Sequence, residues 1–167
     1  MTRSSKGAHM FREIVRKKQE LSREECLEIL MNTKRGVLSV NGDEGYPYGV
    51  PINHYYDPVD GKIYFHGGKS GHKIDAMKKD DKVSFCVMDE GTPDLDSWFL
   101  HFRSVIVFGR IEFIEDEKVI TEKSRLLSYK FTEDEDYIDY EIEKSLKGTA
   151  MFALVPEHIC GKHVREK

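Results

Sequence analysis

The residues between 35 and 114 constrain the fold most, because strand-like stretches follow one another there with very short connections. The turns at 42–45 and 57–61 are rich in Gly and Asp, and turns of this length favour antiparallel pairing of the flanking strands. Val, Ile, Tyr and Phe are frequent between the turns, as they are in β-sheets. The predicted strands lie at 35–41, 46–56, 62–66, 83–88, 98–114 and 149–155. The sequence therefore predicts a mainly β (α+β) chain, a small barrel with peripheral helices.

Four helices are predicted outside these strands. The first begins with the capping-box sequence Ser22-Arg-Glu-Glu25 and continues to Asn32. In a capping box the Ser side chain accepts a hydrogen bond from a first-turn amide, while the Glu side chain reaches back to the amide of the Ser. The other predicted helices lie at 70–79, 116–130 and 134–147.

Two prolines and one glycine add detail to the predicted sheet. Pro51 lacks the N–H group that a strand uses for pairing, so its strand is expected at a sheet edge or at a bulge. Gly109 lies inside a long strand-like stretch and indicates a bulge or a bend. Pro156 is expected to end the last strand at residue 155.

Composition argues against several classes of function. The 167 residues include 26 Lys and Arg against 30 Asp and Glu, a net charge of −4, and no basic run stands out. Nucleic-acid binding through a broad cationic face is therefore not expected. No apolar run approaches the ~20 residues of a membrane span, and no signal peptide opens the chain. Cys26, Cys86 and Cys160 are far apart, as expected for reduced thiols in a cytoplasmic protein.

The chain is predicted to hold one domain. Residues 1–9 are short and polar and precede a second methionine, Met10, so this stretch is interpreted as a cloning remnant. Residues 10–167 show no linker and no internal repeat, and their number suits a single domain.

The stretch 63–79 gives the clearest indication of a ligand. A strand ends at His66, two glycines follow, and a basic segment then opens a helix. Glycines allow backbone amides to converge on an anion, and a helix N-terminus adds unpaired N–H groups. The groups available to a phosphate are Gly67, Lys69, Ser70, His72 and Lys73. On spacing alone, a phosphate cradle and a Gly-rich turn before a solvated basic helix fit equally well.

Other kinds of site have less support. His66 and His72 lack a third ligand at a suitable spacing, so no metal site is predicted. The chain has no Walker A loop, no G-x-G-x-x-G fingerprint and no G-x-S-x-G motif. Asn53, close to Pro51, offers both hydrogen-bond donors and an acceptor. The aromatic stretch 98–108 could form core, an interface or a stacking wall, and its apolar surface favours an interface between two chains.

Taken together, these stretches resemble a known family. The ordered motifs are VPIN at 50–53, IYFHGG at 63–68, GHK at 71–73, VSFCV at 83–87, RSVIVFG at 103–109 and EHICGK at 157–162. They are similar to those of the pyridoxamine 5′-phosphate oxidase-like flavoproteins, and especially of their nitroimidazole-resistance (Nim) branch. The C-terminal R-x-H-x-R-x-x-x-Y motif of the biosynthetic oxidase is missing, which argues against pyridoxamine phosphate as the substrate.

The resemblance implies an FMN-binding split β-barrel that forms a homodimer with FMN at the interface. It places the FMN phosphate on residues 66–73 and the ring against the strand at 50–53. The strand at 103–105 and Trp98 of the partner chain would close the pocket, and His66 is the candidate catalytic residue facing the ring. The implied cofactor-binding residues are Val50, Pro51, Ile52, Asn53, His66, Gly67, Lys69, Ser70, His72, Lys73, Trp98, Arg103, Ser104 and Val105.

The expected function is that of an FMN-dependent oxidoreductase that reduces a small aromatic or heterocyclic acceptor. A nitroimidazole is one candidate acceptor, and NAD(P)H is a candidate reductant. Two alternatives remain open at this point. One is a flavin carrier or redox sensor with little turnover, and the other is a haem-binding relative that would use His158 or His163.

Overall fold

The computed structural model describes residues 11–164, so the predicted cloning remnant at 1–9 lies outside the described residues. The described helices are α1 (Arg23–Asn32), α2 (His72–Lys79), α3 (Glu117–Ser128) and α4 (Glu135–Ser145). The described strands are β1 (Arg35–Asn41), β2 (Pro47–Asn53), β3 (Tyr55–Tyr56), β4 (Ile63–Gly68), β5 (Lys82–Met88), β6 (Thr92–Pro93), β7 (Leu100–Ile114) and β8 (Thr149–Val164). No helix among these residues is both long enough and apolar enough to cross a membrane.

The strands form one curled antiparallel sheet in the order β2-β1-β5-β7-β8-β4-β3, and the short strand β6 pairs with β7. The inside of the curl is filled by aromatic side chains that have no exposed surface. Phe65 packs edge-on against Phe85 with ring centroids 5.0 Å apart, and it stacks on Phe152 at 5.5 Å. This half-barrel with flanking helices confirms the predicted fold class.

Several local predictions are confirmed in detail. The capping box forms at α1, where the Glu25 amide donates to Ser22 Oγ and the Ser22 amide donates to Glu25 Oε2. The strand with Pro51 lies at one end of the sheet, where Pro51 pairs with Val37 on its one neighbouring strand among the described residues. The helices are one to three residues shorter than predicted. Asp116 and Asp134 serve as N-caps rather than helical residues, and α3 and α4 each end two residues before the predicted end.

The predicted end of the last strand at residue 155 is wrong. Strand β8 continues through Pro156 to Val164 and pairs with β7 along its length. Pro156 lies opposite Gly109, next to a shift in register between Phe108 and Gly109. The pairing is interrupted there by a bulge, so the missing N–H of Pro156 is tolerated. Gly109 marks the bulge as predicted, and a Cβ atom at this position would collide with the carbonyl of Val155.

The predicted strand 46–56 is divided in two by His54, whose side chain is completely buried. The Nε2–H group of His54 donates to the Leu30 carbonyl over 2.9 Å, and the ring packs edge-on against Phe85. Lys130 donates to the carbonyls of His54 and Thr33. Burial, and then the charge of Lys130, lowers the pKa of His54 to about 4. These contacts fasten the segment that follows α3 to the end of α1.

A buried ion pair fastens α3 to the turn before β4. Lys123 Nζ lies 2.6 Å from Asp57 Oδ2, and the side chains are 12% and 4% exposed. Burial alone would raise the pKa of Asp57, but hydrogen bonds from Lys123 and from the amide of Val59 outweigh it and the pKa lies below its usual value. Because α3 is anchored in this way, it forms a fixed wall over β4 and β8.

Candidate functional site

The end of β4 and the start of α2 form a compact cationic corner. Gly71 is the N-cap of α2, with a φ of 117° that favours glycine, and no side chain caps the helix. Lys73 lies in the first turn and folds back over β4, so that a Cβ atom on Gly67 would lie 3.1 Å from Lys73 Nζ. Glycine at position 67 therefore leaves the ammonium room beside the backbone. The uncapped amides and this ammonium together suit an anion.

His72 ties this corner to the edge strand β2. Its ring stacks on Tyr48 with centroids 4.2 Å apart, and its Nε2 atom lies 3.5 Å from Asp43 Oδ2. Lys69 and Ser70 are exposed on the connection between β4 and α2. The contacts of His72 place β2 next to the start of α2, as a ligand spanning both elements would require.

His66 lies at a cavity of about 490 Å³ between the end of β4 and the helices α3 and α4. The cavity also contacts Gly67 and Gly68, and its walls carry Ser128 and Ser145. Part of the imidazole is open to this space, but the surrounding protein desolvates the ring and lowers the pKa of His66, and the charge of Lys73 lowers it further. The neutral form of the imidazole is therefore favoured in the folded protein.

The strand at 50–53 presents its residues in alternate directions. Ile52 is buried in the core, whereas Pro51 is exposed on the outside of the sheet and Val50 is half-buried. Asn53 Oδ1 accepts a hydrogen bond from Arg35 Nε over 2.8 Å. A ligand could reach the backbone atoms of Ile52 but not its side chain.

The remaining predicted residues lie apart from the cationic corner within one chain. Arg103 pairs with Asp89 at 2.9 Å and lines a different cavity of about 500 Å³ beside Arg35. Val105 is completely buried in the core, so its side chain is not open to a ligand. Trp98 is 85% exposed on the loop before β7. Ser104 is half-buried and lies between Met88 and Lys162 on the outside of the sheet.

No group of three or more metal-ligating side chains occurs among residues 11–164. His158, one of the two histidines considered for haem, stacks on Phe11 at 4.8 Å between ring centroids. The other, His163, lies opposite Arg103 and edge-on to His101. Each histidine thus packs against protein side chains.

Sequence reasoning missed the walls of the His66 cavity. Ser124 and Ser128 come from α3, Glu141 and Ser145 come from α4, and Thr149 begins β8. Ser and Thr inside amphipathic helices carry no motif of their own, so only the tertiary packing of α3 and α4 over β4 reveals them.

The sequence profile described as pyridoxamine 5′-phosphate oxidase matches residues 22–163, most of the chain. The chain belongs to the pyridoxamine 5′-phosphate oxidase family. The cationic corner and the His66 cavity both lie inside the matched region. No curated protein matches the sequence.

Solved structures share the fold of this pyridoxamine 5′-phosphate oxidase family member at low sequence identity. A candidate 5-nitroimidazole antibiotic resistance protein from Bacteroides thetaiotaomicron is 19% identical, with 86% of each chain covered and a TM-score of 0.72. A FAD-binding protein from Mesorhizobium loti is 23% identical, with 89% of this chain and 97% of that chain covered and a TM-score of 0.65. A FAD and haem binding protein from Mycobacterium smegmatis is 19% identical, with coverage of 89% and 74% and a TM-score of 0.69. The fold is therefore that of flavin-binding split-barrel proteins.

Proposed function

We propose that this protein binds FMN with its phosphate at the cationic corner and uses it as an oxidoreductase for a small aromatic or heterocyclic acceptor. The observation that carries the proposal is the position of Lys73 over Gly67, beside the uncapped first turn of α2. A phosphate monoester carries about −1.5 to −2 charges at neutral pH, which this corner can offset with one ammonium and several amides. One compact anion site of this kind suits a mononucleotide.

The neighbouring residues have distinct roles in this proposal. Lys73 and the amides after Gly71 hold the phosphate, and β2 lies alongside through the stacking of Tyr48 on His72. His66 faces the cavity in which an acceptor would stack, and its neutral imidazole can accept or donate a proton there. When bound, the flavin supplies the electron transfer between a reductant, NAD(P)H being one candidate, and the acceptor. A nitroimidazole is one candidate acceptor, and the cavity of about 490 Å³ has room for it.

A homodimer with the flavin between the chains is the second part of the proposal. The outer face of the sheet carries apolar residues across neighbouring strands, with Val37 and Ile106 each 38% exposed and Met88 60% exposed. Val37 pairs with Cys86, and Cys86 pairs with Ile106, so two of these residues lie in one row across β1, β5 and β7. A contiguous apolar patch on a sheet face is typical of a protein interface. A partner chain would also bring Arg103 and Trp98 toward a site that they do not reach within one chain.

Replacing Lys73 with alanine is expected to weaken FMN binding by roughly ten- to a hundredfold, because a charge-assisted contact worth about 1.5–3 kcal/mol is lost. Flavin released from the wild-type protein by acid should be FMN. His66→Ala is the matched comparison, since it should change the rate of flavin reduction or of acceptor turnover more than it changes FMN affinity. The measurements are FMN titrations and single-turnover reduction rates. Unchanged FMN affinity in Lys73→Ala would contradict the placement of the phosphate.

The dimer should be visible by light scattering as about twice the chain mass, because interfaces of this type bury large areas. Ile106→Lys places a charge at the β7 end of the exposed apolar row and should yield monomers. Val59→Lys is the control, because Val59 is 93% exposed on the turn before β4 and lies away from that row. A monomeric wild-type protein with bound FMN would refute the shared site.

A further inference from the structure

Another cavity lies next to the cationic corner, at the end of the sheet between α2 and the start of α3. The volume of this α2–α3 cavity, about 500 Å³, is in the range of small-molecule sites. Lys69, on the connection between β4 and α2, is part of its lining. Thr149 and Ala150 also line it, and they pair with the two glycines at the end of β4. A ligand in this cavity would therefore lie beside an anion held at the corner.

The floor of the α2–α3 cavity is apolar. Ile74, Ile120 and Met151 line it and are buried. Phe113, near the end of β7, lines it as well, and 37% of its surface is exposed. The Phe113 ring centroid lies 6.1 Å from that of Phe152, which has no exposed surface. A partly exposed aromatic ring that packs against a buried one offers a planar ligand a surface for stacking.

Charged side chains of both signs surround this floor. Three of them are lysines, Lys69 before α2, Lys78 within α2 and Lys147 after α4, and two are carboxylates at the start of α3, Glu115 and Glu117. None of the five forms an ion pair with another residue between 11 and 164. The lysines and the carboxylates therefore do not neutralise one another by direct contact, and both are available to a ligand.

This combination limits the class of ligand. A ligand that is only anionic would meet the two carboxylates, and a ligand that is only cationic would meet the three lysines. An adenosine monophosphate group suits all parts of the lining, because it has a planar base, a phosphate, an exocyclic amine and ribose hydroxyls. Ammonium groups bind phosphate, carboxylates accept hydrogen bonds from amines and hydroxyls, and bases stack on aromatic side chains.

We infer that the α2–α3 cavity binds the adenosine phosphate end of a dinucleotide, with the base on Phe113 and the phosphate at Lys69 and Lys78. The candidate reductant NAD(P)H carries this group, and a flavin extended to FAD is the other source. The inference rests on the proposed function and deepens it, because a flavin phosphate at the corner is what brings either dinucleotide next to this cavity.

AMP alone is the probe for the cavity, and its binding is measured by calorimetry with the full chain, both flavin-free and loaded with FMN. AMP should bind about tenfold more tightly than adenosine, which lacks the charge-assisted phosphate contact. It should bind severalfold more tightly than UMP, which has a smaller base to stack. FMN should not displace AMP. No binding of AMP, equal binding of the three ligands or displacement of AMP by FMN overturns the inference.

Variants locate AMP in this cavity. Phe113→Leu keeps an apolar side chain but removes the ring, so it should weaken AMP binding about tenfold. Phe131→Leu is its matched control, because Phe131 is 44% exposed and lies outside the lining.

A lysine variant tests the phosphate contact at an exposed position, where folding is not at risk. Lys78→Gln should weaken AMP binding severalfold and leave adenosine binding unchanged, since adenosine has no phosphate. Lys118→Gln, at an exposed lysine of α3 outside the lining, should change neither. Unchanged AMP affinity in both Phe113→Leu and Lys78→Gln contradicts the placement of the ligand.

The same ring variant identifies the molecule that carries the adenosine phosphate. If the source is the reductant, Phe113→Leu weakens binding of NAD⁺, which does not reduce the flavin, and leaves the ratio of FAD to FMN affinity as in the wild type. If the source is the cofactor, Phe113→Leu weakens binding of FAD but not of FMN. An effect on neither dinucleotide overturns the inference.

The outcome is separable from that of the proposed function. A protein that does not bind FMN but binds AMP in a way that depends on Phe113 would refute the proposed cofactor while supporting the ligand of this cavity. A protein that binds FMN but not AMP would leave the cofactor proposal in place and overturn the inference.

Discussion

Asp57→Ala is expected to lower the free energy of unfolding by about 3 kcal/mol, because it leaves the ammonium of Lys123 buried without its partner. Losses of about 3–5 kcal/mol are typical when one half of a buried pair is removed. The lower end is expected here, since Glu122 stays 2.9 Å from Lys123 and retains part of the interaction. Urea unfolding of the wild type and the variant at neutral pH measures the difference. Without the ion pair, α3 should also be held less firmly, and α3 forms one wall of the His66 cavity.

An exposed ion pair provides the matched control. Lys62 and Glu112 are 2.7 Å apart, but their side chains are 30% and 52% exposed. Glu112→Gln should therefore cost less than about 1 kcal/mol. Combining Asp57→Ala with Lys123→Met should recover part of the stability, because no unpaired charge remains. If Asp57→Ala costs no more than Glu112→Gln, the buried pair does not anchor α3.

Acid is expected to remove about 3 kcal/mol of stability through His54 alone. The pKa of His54 is about 4 in the folded protein, against an ordinary value of 6.5 in the unfolded chain. A folded pKa below the unfolded one means that the contribution is complete above pH 6.5 and is lost as the pH falls through 4. At 1.36 kcal/mol for each pH unit of difference, the loss comes to about 3 kcal/mol. Unfolding free energies measured at intervals between pH 7 and pH 4 give the slope.

His54→Phe tests whether His54 causes this loss of stability in acid. This variant is less stable at every pH, because the Leu30 carbonyl loses its donor, but the slope due to His54 should disappear. Lys130→Met should keep most of the slope, since burial is the larger cause of the lowered pKa and the charge of Lys130 is the smaller one. Equal slopes in the wild type and His54→Phe would show that His54 does not control the acid sensitivity.

Local chemistry made much of the fold predictable from the sequence. The capping box of Ser22 and Glu25, the edge strand with Pro51 and the bulge at Gly109 each depend on a residue's own backbone or side-chain properties. The continuation of β8 past Pro156 was not predictable, because it depends on β8 forming a bulge next to that proline where it pairs with Gly109 of the distant strand β7. His54 interrupts a strand because the carbonyl of Leu30 lies within reach in the folded core, which no neighbouring residue in the sequence indicates.

The candidate site, too, was predictable from the sequence only in part. The anion corner at Gly67 and Lys73 follows from a Gly-rich connection before a helix, and the structure brings these two residues together. The roles of Val50, Asn53, Arg103 and Trp98 as flavin ligands stay predictions. The hydroxyl groups above His66 could not be found in the sequence, because helices that are distant from β4 along the chain supply them.

The position of β8 in the sheet has a consequence for the order in which the chain can fold. Strands β4 and β7 are joined in the described sheet only through β8, so Ile63 finds its partner Leu154 late in synthesis. Closing such a long loop is entropically costly and slows folding. Until β8 arrives, β4 has an unpaired edge next to the apolar side chains of Ile63 and Phe65. The nascent chain is therefore expected to be most prone to aggregation just before its last strand leaves the ribosome.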